Sequence, residues 1–145
     1  MDILEFKGDD RYLSNFFIAS FVWNGTLWAH SEAAYQAAKA TTREDYKSFI
    51  QLKPGDAKRH GREITIRSDW EEVKYDIMRE IVFAKFSQNP ELKARLLATG
   101  YAHLEEGNNH HDQIWGVCPP RSSQGSNWLG KILMDVREEL RSAIE

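Results

Sequence analysis

The sequence predicts a mainly helical domain with a small β element, and three observations carry that expectation. Apolar residues recur at spacings of three and four through residues 70–87 and again through 128–140. The segment SEAAYQAAKA is built from Ala and Gln with no β-branched residue, a helical composition. Only the stretch around Asn24-Gly25 reads as strand. The order of these segments excludes a Rossmann or barrel fold.

In chain order, YLSNFFIASFVWNGTLWAH places aromatic and β-branched residues on both sides of Asn24-Gly25, predicting a tight hairpin with strands of about five residues. Ser31 is expected to cap the next helix, SEAAYQAAKA. A short helix follows from Thr42 through REDYKSFI until Pro54-Gly55 interrupts it, and DAKRHGR carries another helical turn. Asp69, Trp70 and Glu72 form a capping-box signal that opens a long helix to about Ser87, with Val73, Ile77, Ile81 and Ala84 as its apolar stripe. Asn89-Pro90 opens a further helix that stops at Thr99-Gly100. The last helix starts near Asn127 and buries Leu129, Ile132, Leu133, Val136 and Leu140. Between them, AHLEEGNNHHDQIWGVCPPRSSQGSNW is too polar and too broken by Gly and Pro to be a core element, and is read as a functional loop.

Composition narrows the function. At 145 residues the chain fits one domain, 1–145, long enough to bury roughly two thirds of its unfolded surface. Nineteen Lys+Arg against 22 Asp+Glu give a net charge of −3, which excludes a surface that traps nucleic acid indiscriminately. The single cysteine, Cys118, excludes an intrachain disulfide, a CxxC redox pair and a four-cysteine zinc knot. No run approaches a membrane span, and MDILEFKGDD lacks the basic start of an export signal, so a cytoplasmic protein without a membrane partner is expected.

Four groups of residues are candidates for chemistry. Glu32, Tyr35, Gln36 and Lys39 share one helix face by their spacing, which is either a solvated stripe or a cleft wall carrying a carboxylate and an amine. Glu105, Glu106, His110, His111 and Asp112 form a polar cluster whose carboxylates suit stabilisation of a sugar oxocarbenium ion. Adjacent donors in HHD are hard to converge on one ion, so no metal and no cofactor are expected. Across 53–67, Lys53, Lys58, Arg59, Arg62 and Arg67 face only Asp56 and Glu63, a local charge of +3 that suits a phosphate. Among the aromatics Phe16, Trp28, Trp70, Trp115 and Trp128, core filling is the default. Trp28 and Trp115 are also placed to stack on a base. Asn15 and Asn127 either orient hydroxyls or cap turns.

Taken together, LSNF at 13–16, WAHSEAAYQAAKA at 28–40, PGDAKRHGR at 54–62, DW at 69–70, Met78 with KF at 85–86, LLATG at 96–100, LEE at 104–106, Asp112 with WG at 115–116, and GSNWLGKILMDVR at 125–137 resemble the YbiA-like family, also called NADAR. The resemblance runs over about residues 6–140 and implies a compact multihelical YbiA-like domain with a small β element. It also implies a metal-independent N-glycosidase that acts on a phosphoribosylated aminopyrimidine of riboflavin synthesis or on ADP-ribosylated guanine in nucleic acid. Glu32 matches the acid of the SE motif, Lys39 the lysine two turns later, Glu106 the LxE glutamate, and Asp112 and Trp115 the DxxWG pair. Asn15 and Phe16 match the NF pair and Asn127 the NxLG stretch, while Tyr35 and Trp70 join the binding wall and Lys58 or Arg62 holds the phosphate. Lys39 then either binds substrate electrostatically or attacks the opened sugar to form a Schiff base. The chain departs from the family at WGVCPPRSSQG, where small residues are usual. A module that binds ADP-ribose or a nucleotide without catalysis is the competing expectation.

Overall fold

The structure, a computed structural model, describes residues 1–144. It is mainly helical with one two-stranded sheet, as the sequence predicts, and its backbone groups into two units, Asn15–Asn89 and Met1–Ser14 with Pro90–Glu145.

The first unit opens with β1 (Ile18–Trp23) and β2 (Thr26–His30), paired antiparallel with Phe21 opposite Trp28 and Val22 opposite Leu27. Asn24 and Gly25, at φ 54° and 73°, make the two-residue turn, whose left-handed positions explain that dipeptide. Helix α1 (Ser31–Ala37) follows directly, then α2 (Arg43–Lys47), α3 (Pro54–His60) and α4 (Trp70–Gln88). The chain comes so close after α3 that a Cβ on Gly61 would overlap the end of the Gln36 side chain, so a larger residue there would have to displace the Gln36 amide.

Local details correct the sequence reading at several points. His30, not Ser31, caps α1: its Nδ1 accepts from Ala33 N at 3.1 Å, and Ser31 Oγ is buried without a hydrogen-bond partner. The helix ends at Ala37, which leaves Lys39 in the tight turn that follows. Pro54 starts α3 rather than merely ending what precedes it, because a proline at the first helical position gives up no intrahelical bond. Asp69 occupies the cap position of α4, but its carboxylate receives Arg67 Nε and Nη2 at 2.6 and 2.9 Å instead of capping. The buried face of α4 runs through Trp70, Lys74, Met78, Ile81 and Lys85; Val73 and Ile77 are only half-buried.

In the second unit a 3-10 turn (Gly8–Leu13) and α5 (Pro90–Ala98) join α6 (Trp128–Ile144), whose buried residues include all five that the periodicity names. Buried Arg137 ties this unit together by donating to Thr99 Oγ1 and Ala102 O, both at 2.9 Å. The 102–127 segment has no helix or strand, yet Leu104, Asn108 and Val117 within it are buried, so it belongs partly to the core. Isolated bridges from Leu104 to Ile3 and from Gly107 to Val117 supply backbone partners that its composition does not reveal.

Candidate functional site

In the unit Asn15–Asn89 the polar face of α1 is buried, not solvated. Glu32, Tyr35 and Gln36 are 7%, 7% and 5% exposed. Gln36 Nε2 donates to Glu32 Oε2 at 2.6 Å, and the Glu32 N–H donates to Asn15 O at 3.1 Å. Asn15 is in turn fixed by its Nδ2 on Met78 Sδ at 3.5 Å. A buried carboxylate is costly unless such donors hold it, so this arrangement fixes one orientation of Glu32.

Next to it, the Tyr35 and Trp70 rings lie 5.1 Å apart, tilted by 55°. Lys39 Nζ stands over both, 5.7 Å from the Tyr35 ring centre and 5.8 Å from that of Trp70. Burial pushes the Lys39 amine below its ordinary range; Lys74 and Arg62 push the same way, while Glu32 and Glu71 oppose them. A carboxylate, an amine of weakened basicity and two aromatic rings are therefore gathered within one unit. Lys74 is the residue sequence reasoning missed. It is 8% exposed, and its Nζ reaches Glu71 Oε1 at 2.7 Å. The signal for it was its position four residues after Trp70.

The other predicted residues of this unit divide. Arg62 is exposed and acts electrostatically on Lys39, and Lys58 is half-buried on α3. Arg59 pairs with Asp56, already counted in the +3, and Arg67 pairs with Asp69 beyond the segment, which offsets one further charge. Phe16 is 43% exposed. Trp28 corrects the stacking expectation: it is fully buried, donates from Nε1 to Trp23 O at 3.1 Å and meets Tyr46 edge-on, so its faces are core surfaces.

The second unit holds its own polar cluster. Asn127 stands immediately before α6; at φ 52° its amide accepts from Glu106 N at 3.0 Å and donates to Leu104 O at 2.9 Å, which fixes the backbone of Glu106. Buried Asn108, also absent from the sequence reading, accepts from His110 N and Asp112 N at 3.2 and 3.1 Å. Asp112 Oδ1 accepts from Ile114 N and Trp115 N at 3.0 and 2.9 Å, and Trp115 meets Trp128 edge-on at 5.4 Å. Contrary to the expectation from HHD, a ligand atom from each of Glu106, His110 and Asp112 falls within 4.8 Å of the others. The turn built on Asn108 folds His110 and Asp112 together, and His111, at φ 68°, separates them in the chain. Cys118 is buried beside an open pocket of about 440 Å³ that His111 and Gln113 also line.

A mainly helical fold that sets a half-buried amine and a buried carboxylate beside paired aromatic rings has chemistry suited to a polar, ring-bearing substrate. The NADAR domain model matches residues 5–141, and the chain belongs to the NADAR family. It is 39% identical over 131 residues to the N-glycosidase YbiA of Escherichia coli (strain K12), covering 88% of this chain and 79% of that one. It is 41% identical over 133 residues to the riboflavin biosynthesis protein VVA0006 of Vibrio vulnificus (strain YJ016), covering 90% of this chain but only 35% of that protein. The NMR structure of the E. coli protein YbiA superposes with a TM-score of 0.86 at 33% identity, over 99% of this chain and 86% of that one. None of the described helices is long and apolar enough to cross a membrane.

Proposed function

We propose that this chain, an enzyme of the N-glycosidase class by its family and relatives, hydrolyses a ribosyl carbon–nitrogen bond without a metal ion. Its substrate is a phosphoribosylated aminopyrimidine or ADP-ribosylated guanine. The observation that carries this reading is the Lys39 amine, desolvated above the Tyr35 and Trp70 rings and within electrostatic reach of Glu32. The family model spans both units, which supports one NADAR domain over 1–145.

In the proposed reaction the sugar ring opens first: the bond from the anomeric carbon to the ring oxygen breaks, the base nitrogen forms a double bond to that carbon, and its proton goes to the ring oxygen. The neutral Lys39 amine then adds to the anomeric carbon as the π pair returns to the base nitrogen, giving an aminal. Glu32 carries two protons in turn from the lysine nitrogen to the base nitrogen, the first as the aminal forms and the second as the carbon–nitrogen bond to the base breaks and the lysine imine forms. Water then hydrolyses the lysine imine, restoring the amine and releasing the sugar as its aldehyde. Tyr35 and Trp70 form the wall against the ring-bearing substrate, with Asn15 holding the backbone of Glu32. Arg62, an exposed cation within electrostatic reach of the amine, attracts the phosphate together with Lys58, since a guanidinium suits a charged hydrogen bond to it. In this reading Glu106 and Asp112 stabilise the transition state and Trp115 contacts the base, a part that their resemblance to the family's motifs supports, and Asn127 holds the Glu106 backbone. A parallel mass-spectrometric assay of phosphoribosyl-aminopyrimidines, free ADP-ribose and ADP-ribosylated guanine DNA tests the reading. Catalytic release of free base supports it, and tight binding without product would make the chain a binding module.

A further inference from the structure

The buried face of α4 carries a basic side chain, Lys74, to which the proposed reaction gives no role. Lys74 follows Trp70 by four residues, so the two side chains stand one above the other, and helical side chains lean toward the N-terminus, back over the Trp70 turn. Trp70 is the ring beneath the Lys39 amine, and α1 and α4 pack against each other. Lys74 and Trp70 are 8% and 6% exposed. Glu71, which pairs with Lys74 at 2.7 Å, keeps 80% of its side chain in solvent, where water and salt screen its charge. The charged groups acting on Lys39 are Glu32 from α1, Arg62 just past α3, and Lys74 and Glu71 from α4.

We propose that Lys74 is a positioning residue: a buried cation on the Trp70 face of α4 that repels positive charge at Lys39 and so keeps the Lys39 amine available as a nucleophile. The inference rests on the reading of Lys39 as the attacking amine and adds the residue that prepares it. A second ammonium in a desolvated pocket favours the neutral form of the first, because two like charges there cannot both be solvated. The shift of Lys39 agrees, with Lys74 the larger of its two cationic contributors after burial itself. Glu71 works against this effect, so the Lys74–Glu71 pair sets how much of the repulsion Lys39 feels.

The test reads Lys39 directly and without substrate. Competitive acetylation with acetic anhydride across pH, followed by peptide mass spectrometry, gives the pH at which Lys39 is half-reactive. Lys74→Met is expected to move that midpoint up by about one pH unit. Lys74→Arg, which keeps the charge, leaves it near the native value. Glu71→Gln, a change at an exposed side chain, moves it down. An unchanged midpoint in folded Lys74→Met overturns the proposal, as does a Lys74→Arg shift equal to that of Lys74→Met. If Lys74→Met does not fold, failure of Glu71→Gln to lower the midpoint overturns it instead. A Lys74-dependent midpoint with no covalent sugar adduct on Lys39 would remove the covalent mechanism while leaving the Lys74 effect in place.

Discussion

Gln36 donates a 2.6 Å hydrogen bond to Glu32 within a single buried turn of α1. This bond keeps the carboxylate in one orientation, and it predicts how a neutral replacement behaves. Glu32→Gln preserves size and an acceptor oxygen for Gln36 while removing the charge, so the fold survives. Turnover is expected to fall by about 10²-fold or more, with little change in melting temperature. Steady-state kinetics beside a thermal melt check this, and near-native turnover removes Glu32 from proton transfer.

Arg62 is exposed and senses Lys39, so its contribution belongs to substrate charge and not to the core. Arg62→Ala should weaken a phosphorylated substrate far more than its dephosphorylated counterpart, because the lost contact is a charged hydrogen bond. Equal losses of kcat/KM for the two would give Arg62 a general positioning role.

Trp28 is the opposite case. Its indole is fully buried against Tyr46, and Trp28→Ala should cost about 3–5 kcal/mol in urea unfolding through lost burial and a cavity. A stable Trp28→Ala protein with selectively weakened substrate binding would restore it to the binding wall.

Lys85 gives the fold a pH dependence. It is fully buried against Phe86 and Phe17, and burial lowers its pKa to about 7, whereas a free lysine holds its proton to about pH 10.4. Between those values the unfolded chain binds the extra proton, so stability rises as pH rises through the window and falls again toward pH 7. Denaturant midpoints measured from pH 7 to 10 should climb in the native protein and flatten in Lys85→Met. Equal slopes would assign the climb to other groups.

Convergence of Glu106, His110 and Asp112 makes the metal question an experimental one. Activity is expected to survive dialysis against EDTA and phenanthroline, since an amine and a carboxylate provide a complete route. It should also survive Cys118→Ser, whose thiol is buried. Loss on chelation with stoichiometric recovery on adding a divalent ion would contradict the metal-free route.

The sequence disclosed the elements whose signals are local. Asn24-Gly25 fixed the hairpin turn, Pro90 and Gly100 bounded α5, and the spacing of three and four marked the buried residues of α6. It misled at Asp69, which pairs with Arg67 two residues back and leaves α4 without a side-chain cap. It also did not reveal that Asn127 bridges Leu104 and Glu106 far from it in the chain. The stripe of α4 was misplaced for a related reason: apolar periodicity passes over Lys74 and Lys85, two cations on the buried face. Glu32 and Lys39 were legible as a pair, but their burial was not, because spacing alone does not distinguish a solvated stripe from a cleft wall.

Borohydride trapping during turnover tests the account at its centre. With substrate present near neutral pH, reduction should fix the sugar to Lys39 as a secondary amine, located by peptide mass spectrometry and absent both without substrate and in Lys39→Arg. Undiminished hydrolysis with no adduct on Lys39 at any time in the reaction would contradict a covalent role for that amine.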